Sequence, residues 1–142
     1  MSSIPSFLRE SFDFLDKLRS VGRFEDNVLL VTIDVVGLYP SIPHDDGINA
    51  LSDFLDSHHY DRSVRDSICE LAGLVLKRNI FEFNEQLYLQ QSGTAFGTKM
   101  APNFSNIFMH ELEQKFFWLM FRTNHPFGGV LSMIYLHCGH GV

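Results

Sequence analysis

The stretch VLLVTIDVVGLYPSIPH, from Val28 to His44, decides how this chain folds. Its first six residues are apolar or β-branched, and the run is too short for a core helix, so it predicts a buried strand that ends at Asp34. Two prolines then break the chain before the next helix. A carboxylate at the exit of a buried strand is costly unless it is hydrogen-bonded, ion-paired or bound to a cation. Asp34 therefore either caps the following turn or belongs to a site.

Helical periodicity dominates the chain on both sides of this stretch. The pattern predicts a first helix over Ser6–Val21 that ends near Gly22. A second helix has candidate caps at Ser41, Asp45 and Asp46 and an apolar face made of Ile48, Leu51, Phe54 and Leu55. A third helix is capped by Asp61, and its predicted inward residues are Val64, Ile68, Leu71, Leu74 and Val75. The longest helix runs from Pro102 to Phe121, with an apolar stripe of Phe104, Phe108, Leu112, Phe116 and Leu119.

The period changes between the last two helices. Ile80–Phe83 and Leu87–Leu89 are short β-like runs, and Asn84-Glu85 between them predicts the turn of a hairpin. The residues from Gln90 to Lys99 are too rich in Gly and Thr for regular structure. The order helix, strand, helix, helix, hairpin, helix predicts an α+β fold whose small antiparallel sheet packs against helices on one face.

Composition excludes several classes of protein. With 142 residues, 45 % of them hydrophobic and 20 % charged, the chain predicts one globular domain rather than a disordered segment. It contains no apolar run of about 20 residues and no signal peptide, which predicts an intracellular protein, nuclear or cytoplasmic, without a membrane partner. Cys69 and Cys138 predict reduced thiols. A net charge of −6 argues against nucleic-acid binding. Ten of the seventeen acidic residues lie in the first 60 positions, however, and this distribution suits a fragment that holds metal-binding carboxylates while the basic surfaces lie elsewhere.

Two segments together resemble a known family. In the first, Asp34 is followed by an apolar residue. Tyr39 comes five positions after Asp34 and precedes Ser-Ile-Pro-His. The second is QSGTAFGTKMAPNFSNIFM, Gln91 to Met109, which joins a Gly-Thr-Ala-x-Gly loop to an Ala-Pro helix start. In this order they are similar to motifs A and B of reverse transcriptases, most closely those of Penelope-like retroelements. The resemblance implies a partial polymerase palm over residues 1–121, followed by a divergent, poorly ordered tail over residues 122–142.

The resemblance also implies roles for individual residues. Asp34 would be a catalytic, metal-binding carboxylate that helps to hold two Mg²⁺ ions, and Val35 would add its carbonyl oxygen. Tyr39 would contact the sugar of the incoming nucleotide and exclude a 2′ hydroxyl. The remaining nucleotide-binding residues would be Gln91, Gly93, Thr94, Ala95, Phe96 and Gly97. The implied partners are an RNA template, a DNA primer and a dNTP, and the implied reaction is RNA-templated DNA synthesis.

The sequence departs from the family in its carboxylates. A palm of this family carries a further acidic pair, typically Tyr-x-Asp-Asp, after the motif B helix, whereas the last acidic residue here is Glu113. The nearest echo is Ile134-Tyr135-Leu136, followed by His137 and Cys138. We therefore expect a partial copy, without motif C, fingers or thumb, that is inactive as an isolated chain. The alternative is a non-enzymatic relic or a small interaction module that retains the fold, and uncovered strand edges predict self-association.

Overall fold

A computed structural model describes residues 11–21 and 35–122, which are mostly helical with one small antiparallel sheet. In chain order the elements are α1 (Ser11–Val21), α2 (Leu38–Ser41), α3 (His44–Ser57), α4 (Arg62–Lys77), β1 (Ile80–Phe83), β2 (Gln86–Leu89) and α5 (Ala101–Arg122). The predicted α+β class is confirmed. The predicted strand Val28–Ile33, the start of the first helix at residues 6–10 and the tail over residues 123–142 lie outside the described residues.

The described chain divides into two compact units. Gly37–Lys115 form one unit, and the described residues 11–21, 35–36 and 116–122 belong to the other. In the second unit α1 carries an exposed ion pair between Asp16 and Arg19 at 3.2 Å. None of the helices described is both long enough and apolar enough to cross a membrane.

Helices α3 and α4 form an antiparallel helical hairpin. Lys77 near the end of α4 pairs with Asp45 near the start of α3 at 3.3 Å, and Arg65 in α4 pairs with Asp56 near the end of α3. Between the helices, His59 adopts a left-handed conformation with φ of 60°. Its N–H donates to the Asp56 carbonyl at 3.0 Å, and the next N–H, of Tyr60, donates to a carbonyl five residues back at 3.1 Å. This is a Schellman motif, so α3 ends sharply without a glycine.

The hydrophobic core lies where α3, α4 and α5 meet. Its buried members are Ile42, Leu51, Leu55, Ala72, Leu76 and Phe104. A Cβ placed on Gly47 of α3 would overlap the Phe104 ring of α5, so the two helices approach closely at this point. The absence of a side chain at Gly47 therefore lets Phe104 fill the centre of the core.

The inward face of α4 differs from the prediction. Four of the five predicted residues, Val64, Leu71, Leu74 and Val75, are 43 to 63 % exposed, and the buried residues are Ala72 and Leu76. Ile68 alone of the predicted set packs against the core. Two overlapping apolar stripes run along α4, and the stripe with small Ala72 faces the core because it allows the closer approach of the helices.

Two further expectations about helices are corrected. The N-cap of α3 is Pro43 rather than Ser41, Asp45 or Asp46, and no side chain caps its amides. Asp61 is the N-cap of α4 as predicted, although its side chain makes no capping hydrogen bond. Asp45 and Asp46 lie in the first turn of α3 instead, where negative charge complements the helix dipole.

The buried track of α5 also differs from the predicted Phe-rich stripe. Its buried residues are Ala101, Phe104, Ser105, Met109 and Glu113. Phe108 is half-buried against the core, whereas Leu112 and Phe116 are 47 and 41 % exposed, and the Leu119 side chain lies outside the described part. Because an α-helix has 3.6 residues per turn, residues spaced four apart do not stay on one face of it. The predicted stripe therefore turns away from the core after Phe108.

The predicted hairpin is confirmed, with Phe83 opposite Gln86 and Ile80 opposite Leu89. Asn84 and Glu85 both have positive φ, 51° and 61°, as a type I′ turn requires. Every strand residue is exposed. The register places Ile80, Leu87 and Leu89 on one face and Phe81, Phe83 and Tyr88 on the other. The expectation that helices cover one face is therefore wrong for the described chain, because exposed apolar side chains occupy both faces.

Candidate functional site

Two segments about 50 positions apart lie directly against each other within the unit Gly37–Lys115. The Gly93 N–H donates to the Ile42 carbonyl at 2.9 Å, and the Thr94 N–H donates to the Tyr39 carbonyl at 2.8 Å. The two loop amides thus satisfy backbone carbonyls in and just after the short helix α2, at the helix end where acceptors generally lack intrahelical donors. We call this contact between residues 39–44 and 92–94 the clasp.

Gly93 fits the clasp only because it has no side chain. Its φ is +77°, a conformation that L side chains rarely adopt. A Cβ at this position would lie 2.5 Å from both the Pro40 Cα and the Tyr39 carbonyl oxygen. These are backbone atoms, which no side-chain rotation can move away. The close approach of two backbones therefore depends on glycine at position 93.

Side chains add to the clasp from both segments. His44 Nε2 lies 2.8 Å from the Gly93 carbonyl oxygen, and Ser92 Oγ lies 3.5 Å from the Ile42 carbonyl oxygen. Thr94 is buried, with 2 % of its surface exposed. Sequence reasoning gave His44 no role, although it lies in the matched Ser-Ile-Pro-His. Its position directly after Pro43, at the start of a helix, was the available signal.

An aromatic pair lies beside the clasp. The rings of Tyr39 and Phe96 have centroids 5.0 Å apart at an angle of 42°. Tyr39 is half-buried, whereas Phe96 is 72 % exposed. Gly97 follows with φ of +96° and nothing within 4 Å of its Cβ position. The pair presents an accessible aromatic surface on which a flat or sugar-like group can stack.

The predicted site residues fall into three groups. Tyr39, Gly93, Thr94 and Phe96 are brought together by the contacts above, with Ala95 between them in the chain. Gln91 and Gly97 are exposed in the same loop. Val35 is half-buried and belongs to the other compact unit, and Asp34 lies outside the described residues.

The described residues do not form a metal centre. Within residues 11–21 and 35–122, no three His, Cys, Asp or Glu side chains gather closely enough to hold a metal ion. The aspartates of α3 near the clasp, Asp45 and Asp46, are exposed in the first turn of the helix. The side chains described here therefore supply no carboxylate cluster that fits a pair of Mg²⁺ ions.

A separate groove of about 590 Å³ lies along α3 and α4. Ile48 and Leu74 line it, and the ion pair of Asp45 and Lys77 lies at its rim. Cys69, also in its lining, has a free thiol. Burial raises the pKa of the Cys69 thiol, and a hydrogen bond from Ser52 opposes that shift without cancelling it. A thiol with a raised pKa is a weak nucleophile at neutral pH, so this groove has no activated cysteine.

Comparisons of the chain with protein families, with curated proteins and with solved structures find no match. The site is therefore characterised by the sequence motifs and by the geometry of the clasp. Those features define a glycine-dependent loop held against a helical turn, with an aromatic surface beside it.

Proposed function

We propose that this chain is part of a reverse transcriptase of the Penelope-like type, a piece of the palm whose parent activity is RNA-templated DNA synthesis. The clasp is the observation that carries the proposal. The resemblance selected the segments around Tyr39 and Gly93 by their sequence alone, and two helices and a hairpin separate them in the chain. A chance resemblance gives no reason for these segments to meet through two backbone hydrogen bonds.

The proposed substrate contact is the incoming dNTP, beside the aromatic pair. Tyr39 would limit the space at the 2′ position of the sugar, and exposed Phe96 would contribute a stacking surface. The open backbone at Gly97, which has nothing within 4 Å of its Cβ position, would allow a nucleotide to approach closely. The RNA template and DNA primer are partners of the parent enzyme in this proposal.

Magnesium enters the proposal only through Asp34 and Val35. A carboxylate and a backbone carbonyl supply the hard oxygen ligands that Mg²⁺ prefers, and two such ions would activate the primer hydroxyl and neutralise the triphosphate. The described residues contain no further cluster of metal-binding side chains, and the sequence has no Tyr-x-Asp-Asp. We propose that the chain alone does not polymerise.

Nucleotide binding tests the proposal without requiring catalysis. In ¹H–¹⁵N NMR spectra of the full chain, titration with dATP in Mg²⁺ should shift the amide signals of Gly93, Thr94 and Phe96, and ATP should shift them less. Phe96→Ala should weaken the response. Phe83→Ala is the matched control, because the two phenylalanines are 72 and 69 % exposed. Unshifted loop signals at millimolar dATP, or equal sensitivity to both variants, would overturn the proposed substrate contact.

The hairpin favours a second candidate function, that of a non-enzymatic interaction module. Antiparallel sheets that face water on one side normally carry polar residues there, whereas each face of this hairpin carries three exposed apolar side chains. Leu87 and Phe83 are 74 and 69 % exposed. Such a surface indicates a partner. The two strands pair with no further strand among the described residues, and such edges would also allow the chain to associate with itself. A chain that binds no nucleotide, but whose self-association depends on the hairpin, would favour this function over the first.

A further inference from the structure

We propose that His44 is the residue that positions the Gly93–Gly97 loop, by holding the Gly93 carbonyl at a fixed distance from Tyr39. The inference rests on the proposed function, because the loop matters as a nucleotide contact only if nucleotides bind there. The motif resemblance implies no role for His44, whereas the geometry of the clasp gives it one.

The hydrogen bonds around Gly93 show what His44 contributes. The Gly93 N–H is held by the Ile42 carbonyl at 2.9 Å, and the following Thr94 N–H by the Tyr39 carbonyl at 2.8 Å. His44 Nε2 lies 2.8 Å from the Gly93 carbonyl oxygen and holds it by a further hydrogen bond. A carbonyl oxygen can only accept, so Nε2 carries the proton. Both backbone polar groups of Gly93 are therefore held by the segment that contains Tyr39.

His44 is suited to this role because it stands on a rigid element. It is the first residue of α3 and follows Pro43, the N-cap, whose φ is −63°. The adjacent Ile42 is fully buried in the core. The loop from residue 90 to residue 100, by contrast, has no helix or strand. The hydrogen bond therefore links an irregular segment to the core of the unit.

The link sets the geometry of the aromatic pair. Tyr39 belongs to α2 and Phe96 to the loop, and their rings are 5.0 Å apart. When the Gly93 carbonyl is released, the loop can move away from Tyr39 and widen this spacing. A wider gap would remove the restriction at the sugar, so discrimination between dNTP and rNTP should fall.

Two substitutions at position 44 test whether the N–H donor must lie where His44 Nε2 lies, or whether any N–H donor in the side chain suffices. His44→Gln keeps an N–H donor at the ε position of the side chain, whereas His44→Asn places the donor one atom closer to the backbone, out of reach of Gly93. In the full chain, His44→Asn should speed hydrogen exchange of the Gly93 and Thr94 amides about fivefold, the effect of losing one hydrogen bond. His44→Gln should restore slow exchange, and the α4 amides should not change in either variant. Unchanged loop exchange, or equal acceleration throughout α3 and α4, would overturn the positioning role.

Nucleotide titration of the same variants tests the role of His44 in discrimination between dNTP and rNTP. The wild-type chain should prefer dATP to ATP, His44→Asn should bring the two affinities within about twofold of each other, and His44→Gln should keep the preference. A preference that His44→Asn leaves intact would overturn the role of His44 in discrimination. If the wild-type chain binds neither nucleotide, the proposed function fails together with that role, and hydrogen exchange still decides whether His44 holds the loop.

Discussion

Replacing Gly93 by alanine should be among the most damaging single changes in the unit Gly37–Lys115. A Cβ there would lie 2.5 Å from the Tyr39 carbonyl oxygen and 2.6 Å from the Pro40 carbonyl carbon. The left-handed conformation alone costs an alanine about 1–2 kcal/mol. The overlap with backbone also forces the clasp to open, which removes three hydrogen bonds worth about 1 kcal/mol each. The free energy of unfolding should fall by about 4–5 kcal/mol.

Two other glycines provide matched controls for this substitution. Gly97 also has positive φ, +96°, but nothing lies within 4 Å of its Cβ position, so Gly97→Ala should cost only the conformational part, about 1–2 kcal/mol. Gly73, inside α4, has equally open space and no positive φ, so Gly73→Ala should stabilise by about 0.5–1 kcal/mol. Urea unfolding followed by circular dichroism measures all three. If Gly93→Ala lies within about 1 kcal/mol of Gly97→Ala, the close backbone approach is not what stabilises the clasp.

Five further outcomes are expected. Leu76→Ala, at a side chain 2 % exposed, should lower the free energy of unfolding by about 2–5 kcal/mol in the same urea assay. Leu71→Ala, at a side chain 63 % exposed, should change it by about 0.5 kcal/mol or less. The reverse order would support the α4 face predicted from the sequence. With the other cysteine replaced by serine, Cys69 should be alkylated more slowly than a free thiol at neutral pH, because burial raises its pKa. The folded thiol also holds its proton more tightly, so stability should decline as the pH rises above the ordinary thiol value of about 8.5 and on through the folded pKa. Phe83→Asp should reduce binding of the dye ANS and self-association measured by light scattering, and an unchanged oligomer would contradict association through the hairpin. The wild-type chain should give no primer extension with dNTPs and Mg²⁺ or Mn²⁺; template-dependent synthesis that Asp34→Ala abolishes would contradict the proposed inactivity.

Periodicity predicted which segments are helices better than it predicted which of their faces are buried. Helices α3, α4 and α5 and the hairpin lie where the spacing of apolar residues places them. The prediction of the buried face of α4 was wrong. Ala72 contributes little to a hydrophobic pattern, but its small size decides how closely the helices approach. The α3 cap was wrong because Pro43 occupies the position that Ser or Asp would otherwise take. The error in α4 concerns which neighbouring helix the face meets, and that information is not local.

The candidate site likewise depends on contacts between segments that are distant in the sequence. The two motifs could be quoted from the sequence, but neither Gly93 nor Pro40 indicates by itself that their backbones touch. The left-handed φ of Gly93 and the hydrogen bond from His44 appear only when the two segments are together. The role of Asp34 stays a prediction, because that residue lies outside the described part of the chain.

The clasp also has a consequence for the order in which the unit assembles. It joins His44 to Gly93 across 49 positions, and the enclosed chain contains almost all of α3, all of α4 and both strands. Closing so long a loop costs about 3 kcal/mol of chain entropy. The helical hairpin and the β-hairpin need only local contacts, so they should form first and the clasp should close after the main folding barrier. Substitutions in it should then accelerate unfolding and leave the folding rate nearly unchanged. The aromatic surface would be the last part of the unit to form and the first to open, so Tyr39 and Phe96 can separate while α3 and α4 remain folded.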